Sequence, residues 1–485
     1  MQTDKTTSGT LLAGVGKADI TNYESGLAND PLYVKVLAIS DGATTAVIVT
    51  VDAVSIGEIG SIPNDYLANV RARLQESLGV DPMGIVINAS HCHGSVCPDV
   101  EDRTVQAVEQ ACQNMVPVRI GAGTGHEDRV SENRRFKLKD GTTADARRAY
   151  SLPPDDQIAG VGPIDPEIGI LRLDREDDHP LAVIYNFACH PIMGVPGGGN
   201  TADIAGFASK VIEENLDDDT LALFIQGCAG DINPTRYKDV ENPPDAEPLG
   251  NLLGLSVLRD LRGIETGEGT GLKVIRETLD LPREDLRPHI GRLQEEQTRL
   301  LQSLRSTDIN FKTFLNLSVK QAVSPEFPSF YAHRYLHDRE AERDDLDKLD
   351  ARNRESCDRY LANIQTMERL TRVQANLSLL RMHHAQNVAA GSDTLRVEMV
   401  GLRIGDFVLI TFPGELSVEI GLGIKQRSPH PLTFVAGVTN GYIYYSPTAE
   451  QLKNRGGAQE DSDCYLAPEW QALFEAKAAD MLGRL

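Results

Sequence analysis

The feature that most constrains the fold of this chain is a set of short apolar segments that each run directly into a polar loop. The first is Gly84 to Ser95, GIVINASHCHGS, in which the apolar run leads to His91 and His93. A short run of β-branched residues with little polar alternation predicts a strand that is buried on both faces. The two imidazoles should then emerge where this strand leaves its sheet, which is a common place for a site.

His91 and His93 are two residues apart, and side chains at that spacing share one face of an extended strand. We therefore expect both imidazoles to look into one cavity only if the backbone stays extended between them, with Cys92 pointing away. Histidine is the commonest metal ligand, but it is also an ordinary residue at strand ends. The spacing alone is equally compatible with a ligand and with one buried, hydrogen-bonded histidine beside an exposed one.

Composition places the chain among large globular proteins. Of its 485 residues, 41% are hydrophobic and 25% are charged, which is enough apolar material for a large core. The formal net charge of −23 is spread along the chain, so nucleic acid and anionic membrane surfaces are poor partners. No apolar run approaches the ~20 residues of a membrane span. An acidic chain of this kind favours a small polar substrate.

Cysteine usage and the N-terminal sequence bear on the compartment. The seven cysteines are scattered without repeat spacing, which fits reduced thiols better than a disulfide framework. The leader MQTDKTTSGTLLAG has neither the basic region nor the apolar core of a secretory signal. We therefore expect a cytoplasmic protein.

The strand-to-polar-loop pattern recurs twice more. Leu181 to Phe187 runs into Ala188-Cys189-His190-Pro191, and Leu221 to Gly227 opens into CAGDINPTR. Apolar residues at helical spacing over Pro63 to Leu78 place a helix before the strand that leads to His91, which suggests a crossover unit. The polar span Glu127 to Pro163 should be rich in loops. We expect an α/β (mixed α+β) fold of layered mixed β-sheets flanked by helices, with the three polar loops converging.

The composition shifts to Glu, Arg, Leu, Gln and Asp between Pro282 and about Asn387, in amphipathic helix-forming runs. We interpret residues 282–387 as a helical insertion into a main body formed by residues 1–281 and 388–485. The insertion would act as a lid or as the interface of a homo-oligomer.

A metal needs three or four donors from separate strands, and the polar strand ends supply His91, His190 and Glu415. Two histidines and a carboxylate with an open position form the ligand set of a hydrolytic zinc site. Glu415 alone is also compatible with a carboxylate at a helix N-terminus. His383 and His384 lie in the helical insertion and are expected at the surface. No role is assigned to the remaining histidines in polar segments: His126, His179, His289, His333, His337 and His430.

Eight short blocks occur in the order expected of the neutral/alkaline ceramidase family: AGVGKADIT, VTVDAVS, NASHCHGS, NFACHP, TADIAGFA, FIQGCAGDINP, FPGELS and TNGYIYYSPTAE. They sample most of the chain outside the helical insertion. The sequence therefore resembles the catalytic N-terminal domain of that family, as a divergent and non-secreted member. The resemblance implies one Zn²⁺ per chain, bound by His91, His190, Glu415 and Tyr445.

The resemblance also implies that His93 and Arg134 belong to the substrate pocket. One block departs from the family, because ceramidases carry an essential serine in G-D-x-S-P-N where this chain has Gly230-Asp231-Ile232-Asn233-Pro234. A carboxamide is not a nucleophile, but it can donate and accept hydrogen bonds. Asn233 is therefore expected to position a substrate.

The mechanism that these residues predict is attack of a metal-activated water on a carbonyl, most directly that of an amide (N-acyl) bond. His93 would act as general acid/base or oxyanion partner and Arg134 as an anion or carbonyl clamp. Asp52 would orient a ligating imidazole, or would be a plain strand-end residue. Two alternatives remain: a zinc-dependent hydrolase of an ester, lactone or glycoside, and a non-catalytic zinc-containing binding protein.

Overall fold

The structure is a computed structural model that describes residues 10–147, 152–217, 219–237, 239–269 and 271–485. Residues 1–9 lie outside these ranges. They form most of the polar N-terminal segment from which the cytoplasmic location was predicted. The strands are β1 (Leu12–Asp19), β2 (Tyr33–Ser40), β3 (Thr45–Val51), β4 (Ile85–Ala89), β5 (Val116–His126), β6 (Ser131–Asn133), β7 (Arg135–Leu138), β8 (Thr143–Asp145), β9 (Ile158–Val161), β10 (Glu167–Arg175), β11 (Pro180–Phe187), β12 (Leu221–Gln226), β13 (Ile232–Pro234), β14 (Leu272–Pro282), β15 (Thr394–Ile404), β16 (Phe407–Thr411), β17 (Glu415–Leu416), β18 (Thr433–Ala436) and β19 (Tyr445–Ser446). The helices are α1 (Tyr66–Leu78), α2 (Val100–Gln113), α3 (Asp203–Glu214), α4 (Glu247–Leu261), α5 (Arg287–Ser303), α6 (Phe311–Val323), α7 (Ala332–Glu340), α8 (Asp345–Ala390), α9 (Val418–Arg427), α10 (Ala449–Leu452), α11 (Gln459–Ser462) and α12 (Trp470–Arg484).

The predicted crossover unit is present as β3–α1–β4. Helix α1 ends at Gly79, whose φ of 66° is the left-handed conformation that closes helices, and β4 then pairs parallel to β3. A second parallel pair, β11–β12, is joined through α3. All five residues of β4 and all six of β12 are buried, as expected for strands that are covered on both faces.

The largest sheet has eight strands in the order β12-β11-β10-β5-β1-β2-β3-β4. Its two parallel pairs lie at its two edges, and the edges approach each other where β4 and β12 end. The side-chain oxygen of Asn88 in β4 accepts a hydrogen bond from the backbone N–H of Gln226 in β12 at 2.9 Å. The polar loops that follow β4, β11 and β12 are therefore brought to one place.

A second sheet of four strands, β14-β15-β16-β18, packs face to face with the first. Alternate residues of β2 divide between the two layers: Leu37 joins a core that includes Phe434 of the second sheet, whereas Val36 faces the core that includes α1 and α2. Helix α2 approaches β1 so closely that a Cβ on Gly16 would lie 2.0 Å from a helix carbonyl oxygen. Helices α9 and α12 pack on the second sheet. The predicted mixed architecture of layered sheets flanked by helices is confirmed.

Helices α5 to α8 occupy the predicted insertion. The chain leaves and re-enters the second sheet at paired residues, since Pro282 at the end of β14 lies opposite Thr394 at the start of β15. Leu293 of α5 and Leu377 of α8 belong to a small core of their own. No residue of α6 is buried, and its exposed apolar residues include Phe311 and Val323. The division into a body and an insertion, and assembly of copies through the insertion, stay predictions.

The polar span Glu127 to Pro163, predicted as rich in loops, contains short strands that the sequence pattern does not reveal. Strands β7, β8 and β9 form a three-stranded sheet, and β6 pairs with β13. These strands are three or four residues long, too short to display an alternating pattern. Within the described ranges, none of the helices combines the length and the apolar character needed to cross a bilayer.

Candidate functional site

The side chains of His91, His190 and Glu415 meet in the interior of the protein. One ligand atom from each lies within 4.8 Å of the others, and all three residues are buried. His91 Nε2 is 3.4 Å and His190 Nε2 is 2.9 Å from the same carboxylate oxygen, Glu415 Oε2. This group could hold a metal ion.

Each histidine is oriented by a backbone carbonyl. His91 Nδ1 lies 2.6 Å from the oxygen of Val54, and His190 Nδ1 lies 2.9 Å from the oxygen of Ile232. Because a carbonyl oxygen only accepts hydrogen bonds, Nδ1 of each ring donates, and Nε2 of the neutral ring keeps its lone pair. Both lone pairs are thus turned toward one carboxylate oxygen.

The backbone at His91 does not meet the condition of an extended strand that was set for His91 and His93 to share one cavity. Its φ of 70° lies in the left-handed region, so the side chain leaves the strand in a new direction. The rings of His91 and His93 still approach each other, with centroids 5.7 Å apart. They share one region because the chain turns sharply at His91, which the period-two argument did not foresee.

Glu415 is positioned by strand pairing. Strand β17 runs parallel to β19, which places Glu415 opposite Tyr445, and the Glu415 N–H donates to the Tyr444 carbonyl at 2.9 Å. The loop that carries Gly230 packs against the backbone of Glu415, and a Cβ added to Gly230 would lie 2.6 Å from the Glu415 carbonyl oxygen. Burial alone would raise the pKa of the Glu415 carboxyl, but the two imidazoles hold it well below its ordinary value.

Burial lowers the pKa of His190 to about 3, and the positive charge of Arg134 acts in the same direction. His190 is therefore neutral at pH 7. A neutral imidazole lone pair facing an ionised carboxylate oxygen at 2.9 Å is repulsive unless a proton or a metal ion lies between them, and burial disfavours the imidazolium that a proton would form. The chemistry of the donor set fits a divalent metal ion that accepts nitrogen and oxygen ligands, such as Zn²⁺.

Two tyrosines complete the surroundings. Tyr442 donates its hydroxyl to Glu415 Oε1, and the Tyr445 hydroxyl lies 3.4 Å from His190 Nε2. Burial raises the pKa of both phenols. Tyr445 is thus close enough to join the ligand set, and its ligand role stays a prediction. Tyr442 was missed, although it stands in the same TNGYIYYSPTAE block.

Arg134 lies at the end of β6 and is buried. It donates to Glu460 Oε1 at 2.6 Å, to Asn233 Oδ1 at 2.9 Å, to the Gly230 carbonyl at 2.6 Å and to the Tyr445 hydroxyl at 3.1 Å. A guanidinium has five N–H groups, so these protein acceptors engage all but one. Its predicted role as a clamp on the substrate stays a prediction.

The remaining predicted pocket residues lie around this group. Asn233 is buried, and its pairing with Glu132 between β13 and β6 sets it beside Arg134. His93 is accessible at the edge of the site, yet protein surrounds its ring closely enough that desolvation, followed by the neighbouring His91, lowers its pKa to about 4. Its catalytic role is untested.

Asp52 does not orient a ligating imidazole. Its Oδ2 accepts a hydrogen bond from the Tyr33 N–H at 2.9 Å, and His91 uses the Val54 carbonyl instead. The alternative of a plain strand-end carboxylate is therefore the correct one, because a main-chain carbonyl already lies within reach of the imidazole.

The expectation that His383 is a surface residue is wrong. His383 is completely buried, with Nε2 2.6 Å from Asp463 Oδ1, while its neighbour His384 is half-buried. Asp463 also pairs with Arg147 at 2.5 Å. Sequence reasoning missed Arg147 and Asp463 because they lie in polar segments with no apolar periodicity to mark burial.

A buried charge cluster beside the site was also missed. Arg135 contacts Glu460 Oε2 at 2.7 Å and Asp461 at 2.8 Å, so Glu460 is shared between Arg134 and Arg135. The signal in the sequence was the acidic run at the start of α11 together with the Arg134-Arg135 pair. Neither shows its partner, because more than 300 residues separate them.

Comparison with solved structures places this geometry in a known architecture. The crystal structure of neutral ceramidase from Pseudomonas aeruginosa matches with a TM-score of 0.60 over 98% of this chain and 74% of that chain, at 16% sequence identity. This chain has the neutral ceramidase fold. A second solved structure, a ceramidase complexed with C2, matches with a TM-score of 0.61 over 98% of this chain and 75% of its own, also at 16% identity. No protein-family model matches the sequence, and neither does any curated protein.

The resemblance drawn from the eight sequence blocks is thus confirmed at the level of the fold. The low identity marks this ceramidase-like chain as divergent. An identity of 16% leaves the activity, the metal and the substrate to be argued from the site itself.

Proposed function

We propose that this protein is a zinc-dependent hydrolase that cleaves an amide (N-acyl) bond of a small polar substrate. One observation carries the proposal: the Nε2 lone pairs of His91 and His190 converge on a single oxygen of Glu415. Two nitrogen acceptors and one oxygen acceptor, each on a side chain oriented by a further hydrogen bond, form an arrangement that binds a cation.

His91, His190 and Glu415 would hold one Zn²⁺, with Tyr445 as the fourth ligand. When bound, the ion would supply Lewis-acid activation of a water molecule and of the scissile carbonyl. Tyr442 keeps Glu415 oriented by donating to its other oxygen. Arg134 keeps Tyr445 and Asn233 in place, since it donates to both.

His93 is the accessible imidazole beside this group, and we assign it the transfer of a proton to the leaving amine or a hydrogen bond to the carbonyl oxygen. Water adds to the carbonyl carbon, the C–N bond breaks, and the amine leaves with a proton. Asn233 occupies the position of the family's serine and has no nucleophilic atom, so the reaction has no acyl-enzyme. Its amide group positions the substrate.

The amide bond is the first choice because the solved structures of this fold are ceramidases. The acidic chain, with its net charge of −23, favours a water-soluble substrate over one held in an anionic membrane.

The test is to purify the full chain, measure zinc by elemental analysis, and assay the metal-replete protein on a matched panel of chromogenic amides, esters, lactones and glycosides. We expect close to one zinc per chain and turnover of amides. Turnover of only the esters, lactones or glycosides would replace the amide proposal with that alternative. Stoichiometric zinc without any turnover would support a binding protein, and absence of bound metal would refute the proposal.

A further inference from the structure

Arg147 lies on a rigid support beside the candidate metal site. It follows β8, and the Asp145 carboxylate at the end of β8 accepts hydrogen bonds from the backbone N–H groups of Gln459 and Glu460 at 2.8 and 3.1 Å. These bonds fix the end of β8 against the start of α11. The chain two residues before Arg147 is therefore held by buried contacts.

The guanidinium of Arg147 lies over the ring of Tyr445. Its central carbon lies 4.1 Å from the centroid of the Tyr445 ring, and one terminal nitrogen pairs with Asp463 at 2.5 Å. Asp463 is in turn held by His383 of α8. The side chain is only 13% exposed.

The other terminal nitrogen of Arg147, Nη1, is buried and has no hydrogen-bond acceptor in the part of the chain that the structure describes. A buried N–H without a partner destabilises the folded protein, and more so when it carries charge. Arg134, which also contacts Tyr445, differs from Arg147 because protein acceptors engage nearly all of its N–H groups. Of the two arginines, Arg147 is the one with a donor edge left to use.

The neighbours of Arg147 belong to the candidate site. Its charge acts on His93 and on Tyr445, and the Glu415 carboxylate acts on Arg147. Asn233 adds a second donor: its Oδ1 accepts from Arg134, so its NH₂ group points the other way. No described residue accepts from that NH₂ group.

Charged side chains surround Arg147. Three arginines, Arg134, Arg135 and Arg147, lie together with Glu460, Asp461 and Asp463 as their partners. Burial raises the pKa of Glu460 to about 7, so this carboxyl carries less than a full negative charge at neutral pH.

We propose that Arg147 binds a carboxylate on the substrate, which makes the substrate an acylated amino acid in place of a neutral N-acyl amine. The planar guanidinium binds a carboxylate more strongly than it binds a neutral group. In Arg147 one terminal nitrogen pairs with Asp463, and the other, Nη1, is available for the carboxylate of the substrate. The assignment rests on the proposed amidase function for the identity of the bond. The carboxylate preference itself can be measured without turnover.

The test compares N-hexanoylglycine with N-hexanoylethanolamine, which share an acyl chain and differ in the carboxylate. In the wild-type protein we expect a lower KM for the glycine conjugate. Arg147→Met should raise the KM of the glycine conjugate relative to that of the ethanolamine conjugate about tenfold or more, with zinc content unchanged. Arg147→Lys retains the ion pair with Asp463 and should fold even if the Met variant does not. It should show the same direction of change, because the fork is lost.

Arg396→Gln, at an exposed ion pair with Asp280, is the matched control and should change neither KM. An unchanged ratio of the two KM values in folded, zinc-loaded Arg147→Met and Arg147→Lys would overturn the assignment. If the wild type hydrolyses neither compound, the amidase proposal fails for this class, and binding is then measured by the shift in Tm. A shift with N-hexanoylglycine alone that disappears in Arg147→Lys supports the carboxylate site. Equal shifts with both compounds, or none, refute it.

Discussion

His383 Nε2, on the long helix α8, lies 2.6 Å from Asp463 Oδ1, on the loop that borders the candidate metal site. The ring of His383 also packs edge-on against Tyr444, with centroids 4.7 Å apart. Nearby, Arg372 of α8 donates to the Asp145 carbonyl at 2.9 Å. The inner half of α8 is therefore joined to the site by buried polar contacts.

Replacing His383 by Phe should destabilise the protein, because it removes a buried partner of Asp463 while nearly preserving the ring volume. A buried carboxylate that loses a hydrogen bond costs about 1–3 kcal/mol of unfolding free energy. Urea denaturation measures the change, and His384→Phe, at the half-buried neighbour, serves as the control. Equal stability of the two variants would show that the contact contributes nothing.

The metal assignment predicts that removing either imidazole releases zinc while the fold is retained, since the large apolar core does not depend on the site. At position 91 the appropriate variant is His91→Asn, because asparagine tolerates the left-handed backbone found there. His190→Ala is the second variant, and His126→Asn, at an exposed histidine, is the control. Elemental analysis and circular dichroism are the measurements. Full zinc content in both site variants would disprove the ligand set.

Asn233 should contribute orientation alone. Asn233→Ala should lower turnover about tenfold, which corresponds to one lost hydrogen bond of ~1.4 kcal/mol, with zinc content unchanged. Asn233→Ser should not raise activity on the natural substrate. Steady-state kinetics provide the check, and a covalent acyl-enzyme trapped from the wild-type protein would exclude the water mechanism.

The outer part of the insertion should be removable. The backbone of Arg305 exchanges hydrogen bonds with the Asn363 side chain, at 3.1 and 2.7 Å, so these two points of the chain are adjacent. Replacing residues 306–362 by a short Gly/Ser linker should preserve the fold and the metal, because the core of α5 and inner α8 stays intact. Size-exclusion chromatography and elemental analysis of the shortened chain test this.

Removing residues 283–392 completely is the matched comparison. That deletion also removes His383 and its contact with Asp463, so it should cost stability that the shorter deletion does not. If the shorter deletion cannot fold, the outer helices are part of the structural core. If it folds but dissociates an oligomer, they form the interface.

Asp203 should make stability depend on pH. Burial raises its pKa from 3.8 to about 6. The folded protein therefore holds the proton more tightly than the unfolded chain, so the favourable contribution is complete below about pH 4 and is lost as the pH rises through 6.

Asp203→Asn removes this titration and suits the left-handed backbone at that position, where φ is 55°. Between pH 4 and pH 6 the unfolding free energy of the variant should rise relative to wild type, by about 2–3 kcal/mol at most. Urea denaturation at several pH values measures the difference. Asp406→Asn, at an exposed turn residue, should give a flat difference, and a flat difference for Asp203→Asn would contradict the prediction.

The sequence predicted the parts of the fold that depend on local pattern. The helix that ends at Gly79 and the apolar run before His91 are marked by periodicity and by a turn residue. The same holds for the apolar strand before His190. Because such strands deliver their polar ends to one edge of a sheet, the proximity of the two histidines followed as well.

The parts that could not be predicted depend on long-range contacts. Burial of His383 arises from Asp463, 80 residues away, and Arg134 finds Glu460 at a separation of 326 residues. A polar residue in a polar segment has the same local pattern whether it is exposed or paired in the interior. The φ of His91 is likewise a product of packing and not of its neighbours in sequence.

The bridge from Asn88 to Gln226 also has a consequence for folding. Asn88 contacts Gln226, 138 positions away, and Thr439, 351 positions away. His190 contacts Glu415, 225 positions away. Contacts of such sequence separation require the closure of long loops, which costs chain entropy. We therefore expect the ligand set to be assembled late in folding, when the two edges of the large sheet come together. The time during refolding at which the chain acquires high-affinity metal binding would therefore report when β4 and β12 come together.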